Sequence, residues 1–232
     1  MKVILSTLIW VLLISGNISA QSKITFLEGS ICFTKASGFF ARQIPEYKFG
    51  FDVGFLRQVK TEKPLFWGMD IYYNNLGSTS ATIEEILDFN FVNFDYSTTS
   101  NLLGANARMR FYPDIYLFGI EPYMEAHLGY KWFFTNTTKA FSDDAESSDT
   151  NLEKGSLSLS YGISLGFNIP ISNKLYLNLK GSYLPGLSTP YYALRPENPI
   201  VTSTLDGFDL KRSTTDIFRW DLGVTYNINK DE

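Results

Sequence analysis

The run Ser156-Leu157-Ser158-Leu159-Ser160-Tyr161-Gly162-Ile163-Ser164-Leu165-Gly166-Phe167-Asn168-Ile169-Pro170-Ile171 decides the fold. Leu157, Leu159, Tyr161, Ile163, Leu165, Phe167, Ile169 and Ile171 share one parity. Ser156, Ser158, Ser160, Gly162, Ser164, Gly166 and Asn168 share the other. Successive residues of a strand point to opposite faces, whereas a helix repeats every 3.6 residues. The run is therefore a strand with one apolar side and one small, polar side.

Working outward, seven more segments alternate in the same way, near 24–34, 47–57, 65–75, 101–112, 119–134, 175–184 and 216–228. In the second, Tyr47, Phe49, Phe51, Val53 and Phe55 oppose Lys48, Gly50, Asp52 and Gly54. In the last, Phe218, Trp220, Leu222, Val224, Tyr226 and Ile228 oppose Arg219, Asp221, Gly223, Thr225 and Asn227. The connections alternate too. Those around 61–64, 113–115 and 172–174 are short; those spanning 35–46, 75–100, 135–155 and 185–215 are long. Eight antiparallel strands, short turns at one end and long loops at the other form the pattern of an up-and-down transmembrane barrel.

Alternation alone fits a soluble carrier barrel equally well, with apolar groups inside. Three features favour the inverted arrangement. Large aromatics recur near the strand ends: Phe55, Trp67, Phe111 and Tyr226 at the short-turn end, Tyr47, Tyr73, Trp132 and Tyr183 at the long-loop end. Such girdles mark the two lipid–water interfaces. The polar face carries Gly50, Gly54, Gly68, Gly104, Gly129, Gly162, Gly166 and Gly223, and a narrow eight-strand lumen needs small residues. The same face carries six acids (Glu28, Asp52, Asp70, Glu121, Glu125, Asp221) and six bases (Lys48, Arg108, Arg110, Lys131, Lys180, Arg219). Charges withdrawn from water must be paired, so a salt-bridged plug is expected. Lipid leaves no partner for an unpaired strand edge, so the eight strands must close.

Composition sets the limits. The 232 residues are 44% hydrophobic, 16% aromatic and 19% charged, which excludes disorder. A net charge of −4 gives no footprint for nucleic acid. One Cys and one His exclude a thiolate zinc cluster and a multi-His metal site. Residues 1–20 combine Lys2, an apolar run Val3–Ile14 and small residues up to Ala20, so a secretory leader cut after Ala20 is expected. Residues 21–232 form one barrel domain. No later stretch has 18 consecutive apolar residues to make a helical span.

The architecture resembles the small eight-stranded outer-membrane barrels: the OmpA transmembrane domain, OmpX and the opacity-type porin-like family. The final strand, Asp221-Leu222-Gly223-Val224-Thr225-Tyr226-Asn227-Ile228, resembles their assembly β-signal: a polar residue, Gly two on, then aromatic or apolar groups three and five after the Gly. That family closes on a terminal Phe or Trp, whereas Ile228 is followed by Asn229-Lys230-Asp231-Glu232. The resemblance implies a Gram-negative outer-membrane protein, monomeric and without cofactor. Its partners would be membrane lipids, the assembly machinery through Asp221, Gly223, Tyr226 and Ile228, and an extracellular ligand through the long loops. The implied role is envelope-structural or loop-mediated recognition. A narrow solute channel is the alternative, followed by a lipid A-modifying enzyme and a secreted lipocalin-like carrier.

Candidate catalytic groups read as structural ones. His127 falls on the inward face; barrel enzymes that deacylate lipid A carry a Ser two residues on, where this chain has Gly129. Glu121 and Glu125 share a face, but inside a plugged barrel they are expected to pair Arg or Lys. Asp143, Asp144, Glu146 and Asp149 lack the spacing of a calcium loop and read as a solvated acidic loop. Cys32 reads as a buried, inert thiol. Ile83, Ile86, Leu87, Phe89, Phe91, Val92 and Phe94 in the second long loop, with Tyr191, Tyr192 and Leu194 in the fourth, are expected to cap the barrel.

Overall fold

The computed structural model describes residues 23–61, 63–87, 90–113, 115, 119–141, 144–195 and 204–229. The leader segment 1–20 lies outside the described residues. Among the described residues ten strands form: β1 (Thr25–Ala36), β2 (Tyr47–Gln58), β3 (Leu65–Leu87), β4 (Asn90–Phe111), β5 (Glu121–Phe141), β6 (Asp144–Pro170), β7 (Leu175–Leu184), β8 (Thr189–Leu194), β9 (Phe208–Ser213) and β10 (Ile217–Asn227). β1 through β7 and β10 close into one antiparallel barrel, with β10 pairing both β7 and β1; β8 and β9 pair with each other. The seam of chain ends is tied by Asn229, whose Nδ2 donates to the Lys23 carbonyl and whose Oδ1 accepts from the Thr25 N–H.

The barrel is built inside out. Leu27, Ile31, Phe49, Phe51, Val53, Met69, Ile71, Met124, Leu128, Ile163, Leu165, Trp220 and Val224 all face outward and are exposed. The residues beside them in sequence, among them Asp52, Asp70, Arg108, Arg110, Glu125, Lys180 and Arg219, face inward and are buried. A continuous apolar exterior over a charged interior is stable only where the surrounding solvent is hydrocarbon. Trp67, Phe111 and Tyr226 lie exposed toward the short-turn end, and Tyr47, Trp132 and Tyr183 toward the long-loop end.

Strand lengths divide the wall in two. β1, β2, β7 and β10 have 12, 12, 10 and 11 residues. A tilted transmembrane strand needs about 9–11, so these four cross a bilayer once and stop. β3, β4, β5 and β6 have 23, 22, 21 and 27 residues. Their upper halves stand beyond the bilayer as a β-ribbon. This corrects the expectation of loops at 75–100 and 135–155. The reason is local chemistry: these segments are rich in Thr and Ser, which suit strands and link across them. Thr98 Oγ1 lies 2.9 Å from Thr137 Oγ1, Thr138 Oγ1 lies 3.0 Å from Thr150 Oγ1, and the Thr82 hydroxyl donates to Asp95 at 2.7 Å.

The remaining long connections fold inward. The first carries a one-turn helix, α1 (Gly38–Ala41), that buries Phe40 in the barrel mouth. Gly38 begins it at φ +59°, a backbone region that favours glycine. The fourth carries the β8–β9 hairpin, which lays Tyr191 and Ala193 across the mouth. The cap is therefore made by α1 and β8, with Tyr191 in it as expected; of the described side chains expected there from the second long loop, none joins that cluster. Phe94 of that loop is buried, but Phe91 is 72% exposed on the ribbon. The side chains of Ile86, Leu87 and Phe89 lie outside the described residues. Tyr192 is half-buried and Leu194 exposed at the rim.

Candidate functional site

Small residues make room for large ones inside the barrel. A β-carbon at Gly104 would collide with the Tyr72 ring, and one at Gly166 with the Tyr123 ring. Each glycine thus floors a tyrosine that spans the lumen. The side chains fill the lumen in four layers.

The lowest layer, at the short-turn end, is apolar. Phe26, Leu56 and Phe66 are buried together, against Ile24, Tyr112 and Tyr176. The Phe26 and Phe66 rings lie 5.4 Å apart, and Phe66 and Tyr112 5.4 Å apart.

Above it lies the first ionic layer. Arg110 donates through Nε to Glu125 at 2.6 Å and through both Nη atoms to Glu28 at 2.6 and 3.0 Å. Its plane lies 3.8 Å from the centre of the Tyr123 ring. Arg108 reaches Glu28 at 2.6 Å and Glu125 at 3.6 Å. Two guanidinium groups and two carboxylates neutralise one another here, and bidentate pairing fixes their geometry. Asn168, Asn178 and the hydroxyls of Tyr112 and Tyr123 complete the layer by hydrogen bonds.

The second ionic layer is centred on Arg219. Its Nε donates to Asp221 at 3.1 Å, and its Nη2 reaches Asp70 at 3.1 Å and Asp52 at 3.3 Å. Lys180 Nζ lies 3.4 Å from Asp221 and 4.0 Å from Asp52. The Tyr72 ring faces the Arg219 guanidinium at 4.3 Å. His127 connects the two ionic layers. Its Nε2 is 2.6 Å from the Ser164 hydroxyl and 3.3 Å from Glu125, and its Nδ1 is 4.0 Å from Asp70. Ser164, His127 and Asp70 have the residue types of a nucleophile, base and orienting acid. Ser164, however, donates onward to Ser182 at 2.7 Å, and the side chains of His127 and Asp70 expose no surface. A base acts only on a group within hydrogen-bond reach, and nothing from outside reaches this one.

The top layer is apolar again. Phe40, Phe133 and Tyr191 meet at ring distances of 4.9, 5.5 and 5.8 Å, packed with Tyr72, Leu76, Leu102, Leu184, Ala193 and Ile217. Lys131 sits at its edge and donates to the carbonyls of Leu184 and Thr215, both at 2.6 Å.

The structure thus brings together nine of the inward charges read from the sequence: Glu28, Asp52, Asp70, Arg108, Arg110, Glu125, Lys180, Arg219 and Asp221. Three stand apart. Lys131 is held by carbonyl oxygens rather than a carboxylate. Lys48, at the wide mouth, pairs with the exposed Glu46 at 3.0 Å. Glu121 lies half-buried at the short-turn end with no ion pair to a described residue. Both of the latter sit where their strands leave the lumen, away from the two ionic layers. Of the final-strand motif, Asp221 and Gly223 point inward, Tyr226 faces outward and exposed, and Ile228 follows the strand, also exposed. Cys32 is buried, its Sγ 3.7 Å from Asn74 Oδ1. Asp149 is exposed; Asp143 and the side chains of Asp144 and Glu146 lie outside the described residues. No group of His, Cys, Asp and Glu among the described residues is placed to hold a metal ion. The apolar layer at the short-turn end and the wall residues of the upper one were not read from the sequence. Their signal was parity: Leu56, Phe66, Tyr72, Leu102 and Phe133 each sit in step with inward polar neighbours.

Outside the membrane, the mouth carries charge as well. Asp209 of β9 accepts from Arg195 Nε at 2.6 Å and lies 2.9 Å from Lys211 Nζ. Hydrogen bonds from Lys211 and then Arg195 hold its carboxyl below the usual aspartate range.

Fold and lumen together define a class: an inside-out eight-stranded barrel whose interior is filled by its own side chains. The chain is similar to small eight-stranded outer-membrane barrels. Neisserial surface protein A is 11% identical, with a TM-score of 0.42, over 88% of this chain and 97% of that one. The outer-membrane protein OprG from Pseudomonas aeruginosa is 12% identical, with a TM-score of 0.42, over 91% and 99%. Ail, the attachment invasion locus protein of Yersinia pestis, solved with a heparin analogue, is 15% identical, with a TM-score of 0.37, over 89% and 97%. No protein-family model and no curated protein sequence matches.

Proposed function

We propose that this protein is a non-enzymatic barrel of the bacterial outer membrane that works through its extracellular end, as a surface-recognition and envelope-structural protein. The observation that carries this reading is the filled lumen. Arg110, Arg219, Tyr72 and Lys131 are wholly buried across it, between two apolar layers. A solute path would need a gap in all four layers. What remains accessible is the ribbon of β3–β6, the α1 segment and the β8–β9 hairpin, and rigid scaffolds commonly carry function on such outer connections.

The location follows from the same physics. An apolar exterior of one bilayer's height suits a membrane, and closure leaves no unpaired edge in lipid. Export through a leader cut after Ala20, assembly through Asp221, Gly223, Tyr226 and Ile228, and a monomeric state belong to this reading. Fractionation tests it, with gel mobility compared before and after boiling. The expected result is recovery in the outer membrane with a heat-dependent shift. Recovery in the soluble periplasm would overturn it. Planar-bilayer recording tests the sealed lumen: no channel steps are expected, and steady discrete conductance would give the channel reading instead.

A further inference from the structure

The extracellular mouth contains a cavity of about 390 Å³ between the α1 segment and the β8–β9 hairpin. That volume lies in the range of small-molecule sites, roughly 300–1,000 Å³. Its floor is apolar: Ile44 and Leu76 are 5% exposed and Ala193 3%, with Leu194 at the rim. Among the described residues, its walls carry four cations, Arg42, Lys48, Arg195 and Lys211, against two carboxylates, Glu46 and Asp209. On a chain whose net charge is −4, this local excess of positive charge is out of step with the rest.

The ion pairs within it sharpen the picture. Lys48 is matched by Glu46 at 3.0 Å. Arg195 and Lys211 share the single carboxylate of Asp209, at 2.6 and 2.9 Å. Arg42 packs its guanidinium 4.9 Å from the Phe39 ring centre, where an aromatic face leaves the full charge available. Two cations held at fixed distance by one acid are positioned for a second anion without needing to be ordered first, which lowers the cost of binding.

We infer that this cavity is a binding site for an amphiphilic anion: a phosphate or carboxylate headgroup held by Arg42, Arg195 and Lys211, with a short apolar portion on Ile44, Leu76 and Leu194. It rests on the reading of the extracellular end as a recognition surface. The apolar floor selects against bare inorganic ions, and the cationic wall selects against neutral alkanes. The same headgroup chemistry is offered by a free solute and by a membrane lipid.

The test uses the folded full-length barrel in zwitterionic detergent, titrated calorimetrically with hexyl phosphate, inorganic phosphate and 1-hexanol. Hexyl phosphate is expected to bind saturably at one site, more tightly than either control, and to weaken as salt is raised. Replacing two of the three headgroup cations (Arg42→Gln with Lys211→Gln) is expected to weaken binding about tenfold. Asp209→Asn keeps an amide oxygen to accept from Arg195 and Lys211 but removes the competing negative charge, and is expected to tighten binding, a change of sign that a merely structural role would not give. Heat-dependent gel mobility confirms that each variant is folded. Equal binding of hexyl phosphate and hexanol, equal binding of inorganic phosphate, or no saturable binding would each overturn the site. Those failures would leave outer-membrane recovery and the sealed lumen untouched, so they are separable from failure of the broader reading. Repeating the titration in phosphatidylcholine vesicles with and without phosphatidic acid separates the sources. Lost binding in the acidic vesicles points to a lipid headgroup, and unchanged binding to a free solute.

Discussion

At the scale of single residues, the lumen is a set of mutually dependent charges, and its members differ in what they leave behind. Removing Arg219 by Arg219→Met leaves Asp52 and Asp221 to share Lys180, and leaves Asp70 facing only His127 at 4.0 Å. Breaking a buried ion pair from one side costs about 3–5 kcal/mol. Lys131→Met instead leaves two carbonyl oxygens unpaired, at about 1–3 kcal/mol. Glu46→Gln, at an exposed pair, is expected to change stability by less than about 0.5 kcal/mol. Urea unfolding in vesicles should return this order, and a Lys131 variant less stable than the Arg219 variant would contradict it. Asp209 gives a second test. Its carboxyl is held low, so its ion pairs are intact above the unfolded value of about 3.9 and are lost as pH falls through the lower folded value. Followed by the Arg195 Nε–H resonance, the midpoint should lie below that of an ordinary aspartate; one at or above it would refute the pairing. Which charges face inward was legible from parity alone. Which pair with which was not, because Arg219 and Asp70 are 149 residues apart in sequence and meet only across the closed lumen.

At the scale of elements, the short and long strands do different work. The four short strands match the bilayer, and their number and order could be read from alternation and turn spacing. The ends of the long strands could not, because outside lipid the apolar–polar alternation stops being required. There, Thr and Ser pairs such as Thr98 with Thr137 carry the ladder onward with no hydrophobic signature. The β8–β9 hairpin was hidden for a related reason: six-residue strands inside a long loop look like loop. It pairs only with itself and covers the top apolar layer. Replacing residues 189–213 by a short Gly-Ser link is therefore expected to leave a barrel with heat-dependent mobility. The cost is that of uncovering Phe40 and Phe133, about 1.5–3 kcal/mol for each side chain. Urea unfolding reads the cost, and gel mobility reads the closure. Loss of the mobility shift would mean that the hairpin is part of the barrel's closure rather than its lid.

At the scale of the whole molecule, one choice organises everything else: which face of eight alternating strands meets the solvent. A soluble barrel and a membrane barrel share the same pattern and differ only in this sign. The sequence carried the sign in its glycines, its aromatic end positions and its mixed inward charges, and the structure has the apolar face outside. The apolar layer at the short-turn end, and the wall residues Tyr72, Leu102 and Phe133 of the upper one, went unread because the inward face was taken to be polar throughout. Apolar groups at its ends shield the ionic layers from water, which strengthens those pairs. Trp67, Trp132 and Trp220 all point outward, 46%, 37% and 58% exposed, and no other tryptophan lies in 21–232. Their fluorescence in vesicles of phosphatidylcholine brominated on its acyl chains tests the orientation directly. Strong quenching relative to unbrominated vesicles is expected, falling off as the bromines are moved away from the depths of the two girdles. Emission unchanged by bromination at any depth would contradict the inside-out barrel.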